Sequence, residues 1–152
     1  MFEIERKFLV KSNFWKPSDE GVEIKQGYLS VDPGRVVRVR IAGENAFLTV
    51  KGKPNGIVRA EFEYEIPKNH AEDLMKMCLD FPVEKIRYKE KIADLVWEID
   101  VFKGENEGLI MAEVELTDEN QKVDLPKWIG MEVSSDSRYY NALLSKKPYS
   151  TW

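Results

Sequence analysis

The chain has 152 residues, of which 43% are hydrophobic and 33% charged, and its formal net charge is -4. That length suits one domain, residues 1–152, with a core of its own. The acidic balance gives no global basic field for nucleic acid or a membrane surface, so any anion site has to be a local gathering of Lys and Arg.

Phe2-Glu3-Ile4-Glu5-Arg6-Lys7-Phe8-Leu9-Val10 opens the chain as a strand. Alternation puts Glu3, Glu5 and Lys7 on one face and Phe2, Ile4, Phe8 and Val10 on the other. A loop or single helical turn at Ser12–Ser18 leads to a strand over Val22–Ser30, and Asp32-Pro33-Gly34 is a turn signal. Val36–Ile41 then sets Arg38 and Arg40 against Val37, Val39 and Ile41. A hairpin at Gly43-Glu44-Asn45 returns as Ala46–Lys51, with Thr49 and Lys51 on one face. After the turn at Gly52–Gly56, Arg59, Glu61, Glu63 and Glu65 oppose Ala60, Phe62, Tyr64 and Ile66.

Pro67 ends that strand, and residues 69–79 read as a helix with Asn69 as N-cap and Leu74, Met77 and Cys78 on one stripe. Cys78, the single cysteine, reads as a buried inert thiol and excludes an intrachain disulfide. With His70 the one histidine, Cys/His zinc sites and Ser-His-Asp triads are poorly supported. Strands resume at Val83–Lys89, which groups Lys85, Arg87 and Lys89, and at Leu95–Phe102, which groups Glu98 and Asp100. Ile110–Leu116 groups Glu113 and Glu115. A short helix is expected over Thr117–Val123, a last strand at Met131–Ser134, and a helix capped by Asp136 through Leu144. No apolar run reaches the roughly 18 residues of a membrane span, and no secretory pattern opens the chain, so a cytoplasmic protein is expected.

About eight strands in hairpin order favour closure into a barrel, which removes exposed edges. Periodicity gives each strand two faces but does not say which is inside. If the charges faced solvent they would form ordinary salt-bridge ladders of mixed sign. Instead the signs come in blocks: Glu3/Glu5, Arg38/Arg40, Glu61/Glu63, Lys85/Arg87, Glu98/Asp100 and Glu113/Glu115. Neighbouring carboxylates suit a hard cation such as Mg²⁺ or Mn²⁺, and paired Arg and Lys suit phosphate oxygens.

Glu3-Ile4-Glu5-Arg6-Lys7 resembles the Glu-x-Glu-x-Lys signature of the CYTH family, the triphosphate tunnel metalloenzymes. Later blocks resemble the family's in order: Arg38-Val39-Arg40, Thr49-Val50-Lys51-Gly52, Arg59-x-Glu61-x-Glu63, Lys85-Ile86-Arg87-Tyr88, Glu98-Ile99-Asp100, Glu113-x-Glu115 and Glu132 to Asn141. Ser134 stands where the family usually has Thr. The resemblance implies a mainly β protein, a closed eight-stranded antiparallel barrel forming a tunnel, with charged faces inward and a few flanking helices. It also implies chemistry on triphosphates that depends on Mg²⁺ or Mn²⁺.

On that footing Arg38, Arg40, Lys51, Lys85 and Arg87 are expected to clamp phosphates. Glu3, Glu5, Glu113 and Glu115 would hold a first metal. Glu61 and Glu63, with Asp100, would hold a second metal or position water. Lys7 would neutralise a phosphate or orient the first-strand glutamates, and Lys85 would share in the catalysis. Tyr28 reads equally as a tunnel residue or a core aromatic. The expected partner is a small polyanion, tripolyphosphate first and nucleoside or thiamine triphosphate next. Neither nucleic acid nor membrane is expected, and a homodimer is compatible with the pattern. The alternatives are a class IV adenylate cyclase and a non-catalytic polyphosphate or nucleotide receptor.

Overall fold

The computed structural model describes residues 1–152. Nine strands follow one another in the chain: β1 (Phe2–Val10), β2 (Val22–Ser30), β3 (Val36–Ala42), β4 (Asn45–Lys51), β5 (Val58–Ile66), β6 (Leu79–Ile92), β7 (Leu95–Phe102), β8 (Ile110–Glu115) and β9 (Ile129–Glu132). Two short helices, α1 (Lys68–Met75) and α2 (Asn141–Leu144), complete the main elements. The strand order is β5-β4-β3-β2-β6-β7-β8-β1-β9, and a further β1–β5 pairing closes the first eight into an antiparallel barrel.

Closure uses only the start of β1, where Phe2 to Ile4 pair with Val58 to Ala60. Beyond that point β9 takes over the free edge of β1, with Phe8 opposite Glu132 and Val10 opposite Ile129. The ninth strand therefore covers the stretch of edge that β5 leaves open.

The charged faces point inward. Lys85, Asp100, Glu113, Gln26 and Thr49 are buried on the inner side, while the apolar faces turn outward and are covered in part from outside. Phe8, Trp97, Ile99 and Val114 pack under Trp15 from the β1–β2 connection and Trp128 from the segment before β9. α1 covers the opposite side, resting Ala71 on Val39 and Ala46. β1, β7 and β8 thus place most of their apolar side chains in an outer core and their paired charges in the interior, whereas Phe62 and Tyr64 on β5 stay exposed. No helix is long and apolar enough to cross a membrane.

α1 approaches β2 closely at Gly27. A Cβ there would lie 2.7 Å from Cys78 Sγ and 2.9 Å from Met75 Sδ. Gly27→Ala is expected to cost about 1–3 kcal/mol through overpacking, read as a lower melting temperature with unchanged lumen chemistry.

Several boundaries differ from the sequence reading. α1 begins after Pro67, no side chain caps it, and Asn69 lies inside it. It stops at Met75, because Leu79 already pairs with Tyr28 in β6, so Cys78 lies in the connection and is only half-buried. No helix forms over Thr117–Val123. Asp118 accepts from Asn120 N and Gln121 accepts from Thr117 N, and such local side-chain bonds compete with helix. The last strand sits two residues earlier than expected, at Ile129–Glu132. The helix after Asp136 is broken. Asp136 caps a 3-10 turn at Ser137–Tyr139, Tyr140 is extended, and α2 restarts at Asn141.

Candidate active site

A cavity of about 510 Å³ fills the lumen. Every residue proposed for catalysis, phosphate binding or metal binding lines it except Asp100, which lies buried beneath. Tyr28 lines it as well. A second cavity, of about 670 Å³, shares Arg40, Arg87 and Glu98 with the first, so the lumen opens towards both ends. His70 is exposed on α1 and is not among the lining residues.

Antiparallel register brings opposite charges together. Arg87 lies opposite Asp100 across β6–β7, Lys7 opposite Glu113 across β1–β8, and Lys51 opposite Glu61 across β4–β5. Arg87 grips Asp100 with Nε and Nη2 at 2.7 and 2.8 Å, and reaches Glu98 at 3.1 Å and Glu113 at 3.4 Å. Lys85 Nζ lies 2.7 Å from Asp100 Oδ2 and donates to Asn141 Oδ1 at 2.9 Å. Lys7 Nζ lies 3.2 Å from Glu113 and 3.8 Å from Glu5. Glu63 accepts from Thr49 at 2.7 Å and pairs with Arg38 and Arg40, each at 3.2 Å. Lys51 Nζ lies 3.0 Å from Glu3 and 3.2 Å from Glu61.

These contacts sort the acids. Asp100 was grouped with a second metal, but both its oxygens serve Arg87 and Lys85. Glu63 and Glu113 likewise orient cations. Burial would raise the pKa of both Asp100 and Glu113. Arg87 and Lys85 nevertheless bring Asp100 below its usual value, and Lys7 and Arg87 hold Glu113 well below. Lys7 is pulled down by burial, but Glu113 and Glu5 keep its ammonium above the usual value. Lys85 behaves differently. Burial and the adjacent Arg87 draw it down to about 8, although Asp100 opposes the shift, because one carboxylate there serves two cations.

The remaining acids are short of positive charge. Burial and then Glu113 raise Glu5 well above the ordinary value, and its one ion pair, to Lys7, is long. Glu115 makes no ion pair and is raised by burial. Glu61 is raised by burial and by the neighbouring Glu3 carboxyl. Lys51 approaches Glu61 Oε2, but the contact lacks hydrogen-bond alignment, and that oxygen is buried without a partner. These oxygens have the chemistry of Mg²⁺ or Mn²⁺ ligands, and no sulfur or imidazole lines the cavity. No three of the acids converge to ligand distance in this arrangement.

Sequence reasoning missed Asn141, Gln26 and Thr49. Asn141 Oδ1 accepts from both Lys85 and Gln26 Nε2, and Gln26 also donates to Tyr28 OH at 3.1 Å. The extended backbone at Tyr140 lets α2 deliver Asn141 to Lys85. Amides and hydroxyls carry no sign, so the charge blocks did not reveal them.

A closed barrel with its apolar core outside and a lumen of paired acids and bases defines a protein built to hold a small polyanion within its fold. The CYTH domain model matches residues 1–146, and the chain belongs to that family. It is 46% identical over 151 residues to a protein of Acetivibrio thermocellus named inorganic triphosphatase, covering 99% of this chain and 97% of the relative. A protein of Nitrosomonas europaea with the same name is 38% identical over 149 residues, covering 95% and 97%. A solved structure of an inorganic triphosphatase superposes with a TM-score of 0.66 at 37% identity, covering 94% of this chain and 93% of that one. A putative adenylate cyclase from Bacillus halodurans superposes with a TM-score of 0.59 at 17% identity, over 77% and 81% of the two chains. At that identity the likeness is one of fold alone.

Proposed function

We propose that this protein hydrolyses inorganic triphosphate to pyrophosphate and orthophosphate, with Mg²⁺ or Mn²⁺ as cofactor. The observation that carries the reading is the lumen itself, where Arg38, Arg40, Lys51, Arg87 and Lys7 are held by carboxylates before any substrate arrives. Phosphoryl transfer asks little covalent chemistry of a protein and depends on positioning and fixed charge. Guanidinium forks on Arg38, Arg40 and Arg87 meet phosphate oxygens, and Lys7 and Lys51 add point charges. Lys85 Nζ is close enough to neutrality near pH 8 to take the proton of the attacking water. Asp100 and Asn141 hold it in place.

The carboxylates of Glu3, Glu5, Glu61 and Glu115 would hold the divalent ion, since Glu115 makes no ion pair, Glu5 has only a long one to Lys7, and Glu3 and Glu61 share the single cation of Lys51. It would supply Lewis-acid charge neutralisation at the phosphoryl oxygens. Burial and neighbouring carboxylates raise Glu5 and Glu61, and a divalent ion held there would oppose that shift.

The test is phosphate release from tripolyphosphate, ATP, thiamine triphosphate and pyrophosphate with Mg²⁺ and with Mn²⁺. Tripolyphosphate is expected to be turned over fastest, and ATP to yield no cyclic AMP. Turnover is expected to vanish in EDTA and return with Mg²⁺ or Mn²⁺. Full activity after exhaustive chelation would refute the metal assignment, and cyclic AMP from ATP would favour the cyclase.

A further inference from the structure

All but one of the basic side chains lining the main cavity are matched by a carboxylate. Lys7 has Glu113, Arg38 and Arg40 have Glu63, Lys51 has Glu3 and Glu61, Lys85 has Asp100, and Arg87 has Asp100. The exception is Arg59, which lines the cavity from β5 and makes no ion pair. Its Nε donates to Gly52 O at 2.6 Å, and its two terminal amino groups have no hydrogen-bond partner in the protein.

That guanidinium is tethered without being neutralised. Glu3 lies opposite it in the β1–β5 register, but Glu3 already accepts from Lys51 with both oxygens. A half-buried fork of free N–H donors facing a cavity suits a phosphate group bound through two oxygens.

Its position adds to the chemistry. Arg59, Glu61 and Glu63 occupy one face of β5, and four residues of strand separate the level of Arg59 from that of Glu63 by about 13 Å. Glu63 marks the Arg38/Arg40 level and Glu61 the Lys51 level. Arg59 is the next step outward, beside the β4–β5 turn, where Pro54, Gly56 and Ile57 rim the cavity. The longer the anion gripped at the inner levels, the nearer its outer end comes to Arg59.

We propose that Arg59 forms an outer anion subsite that takes the last phosphate of the chain, so that the tunnel discriminates tripolyphosphate from pyrophosphate by length. This rests on the triphosphatase reading above. Arg59 is a specificity residue and leaves the attacked phosphorus to the inner groups. It binds nothing in a shorter substrate, so its loss has to fall on the longer one.

The experiment compares wild type, Arg59→Ala and Arg59→Lys. Binding of tripolyphosphate and of pyrophosphate is measured by calorimetry in EDTA, and KM, kcat and pyrophosphate inhibition are measured with Mg²⁺. Arg59→Ala is expected to weaken tripolyphosphate binding and raise KM about tenfold or more, the worth of a lost charged hydrogen bond, with kcat nearly unchanged. Pyrophosphate binding and inhibition are expected to stay at wild-type values, and Arg59→Lys to recover part of the loss. A mere tie between Arg59 and Gly52 would affect both anions alike. Equal weakening of the two, or no change in either, would overturn the subsite. If the wild type fails to hydrolyse tripolyphosphate, the functional reading falls, and the calorimetric comparison still tests the subsite by itself.

Discussion

Asp100→Ala is expected to destabilise the protein by about 3–5 kcal/mol, because it strips a buried carboxylate from two cations that are themselves largely buried. Asp100 is fully buried, and both its oxygens are engaged, by Arg87 in a fork and by Lys85. For a chain of this length that loss corresponds to a melting temperature lower by about 6–20 °C. Turnover should fall as well, since Arg87 loses the partner that aims its guanidinium and Lys85 loses its anchor. A second substitution sharpens the test. Adding Lys85→Met in the Asp100→Ala background removes one of the stranded charges, and stability should partly return. The effect also has a signature in pH. The native pKa of Asp100 is lowered, so its contribution is present above the ordinary aspartate value and lost as pH falls through the lower native one. The gap in unfolding free energy between wild type and Asp100→Ala should therefore hold at neutral pH and close only in acid. A variant as stable as wild type at pH 7 would show that the two cations find other partners.

Asp100 also shows what the sequence could and could not convey. Alternation along β7 put Glu98 and Asp100 on one face, and both do face the interior side of the barrel. Their role depends on which residues stand opposite, and that is fixed by the β6–β7 turn. Ile92 pairs with Leu95 around Ala93, whose φ is 55°, and this sets Arg87 against Asp100. A hairpin one residue longer would have changed every partner. Spacing alone therefore marked these acids as available without saying that cations already held them.

The direction of the faces was hidden for a related reason. A period of two divides a strand into two sides without naming the inner one. Phe8, Trp97 and Ile99 read as any barrel core would, yet they lie outside. Covering that exterior takes Trp15 and Trp128, which stand in irregular segments with no periodicity to announce them. The blocks of like charge, together with the family resemblance, were what pointed the charges inward. Asn141 ends a block that the resemblance covers, but neither signal gave it a role. Its contact with Lys85 follows from the break at Tyr140, in a stretch whose composition reads as continuous helix.

The largest kinetic effect is expected at Lys85, and pH separates the two roles that the sequence allowed it. With its pKa drawn down to about 8, the amine is a cation at neutral pH and a base just above it. As a proton acceptor it would make log kcat/KM climb with pH and level off near 8, because kcat/KM reports the free enzyme. As a phosphate clamp only, it would make the same profile fall above 8 as the charge is lost. The rising profile is expected, since Arg38, Arg40 and Arg87 already supply permanent positive charge in the lumen. Lys85→Arg keeps a cation in place but cannot lose its proton in this range. It should lower kcat by about 10²–10⁴-fold and remove the rise towards pH 8. Tripolyphosphate binding in EDTA should change far less. Stability supplies an independent reading of the same proton. The native pKa lies below the ordinary 10.5, so between about 8 and 10.5 the unfolded chain holds the proton that the folded chain has released. The contribution of Lys85 to unfolding free energy must then rise with pH across that window. Lys85→Met removes the titration, so the difference in stability between it and wild type should shift in the wild type's favour from pH 8 to pH 10. A wild-type kcat/KM that falls above pH 8, with Lys85→Arg fully active, would make Lys85 a clamp and leave the proton to be taken elsewhere in the lumen.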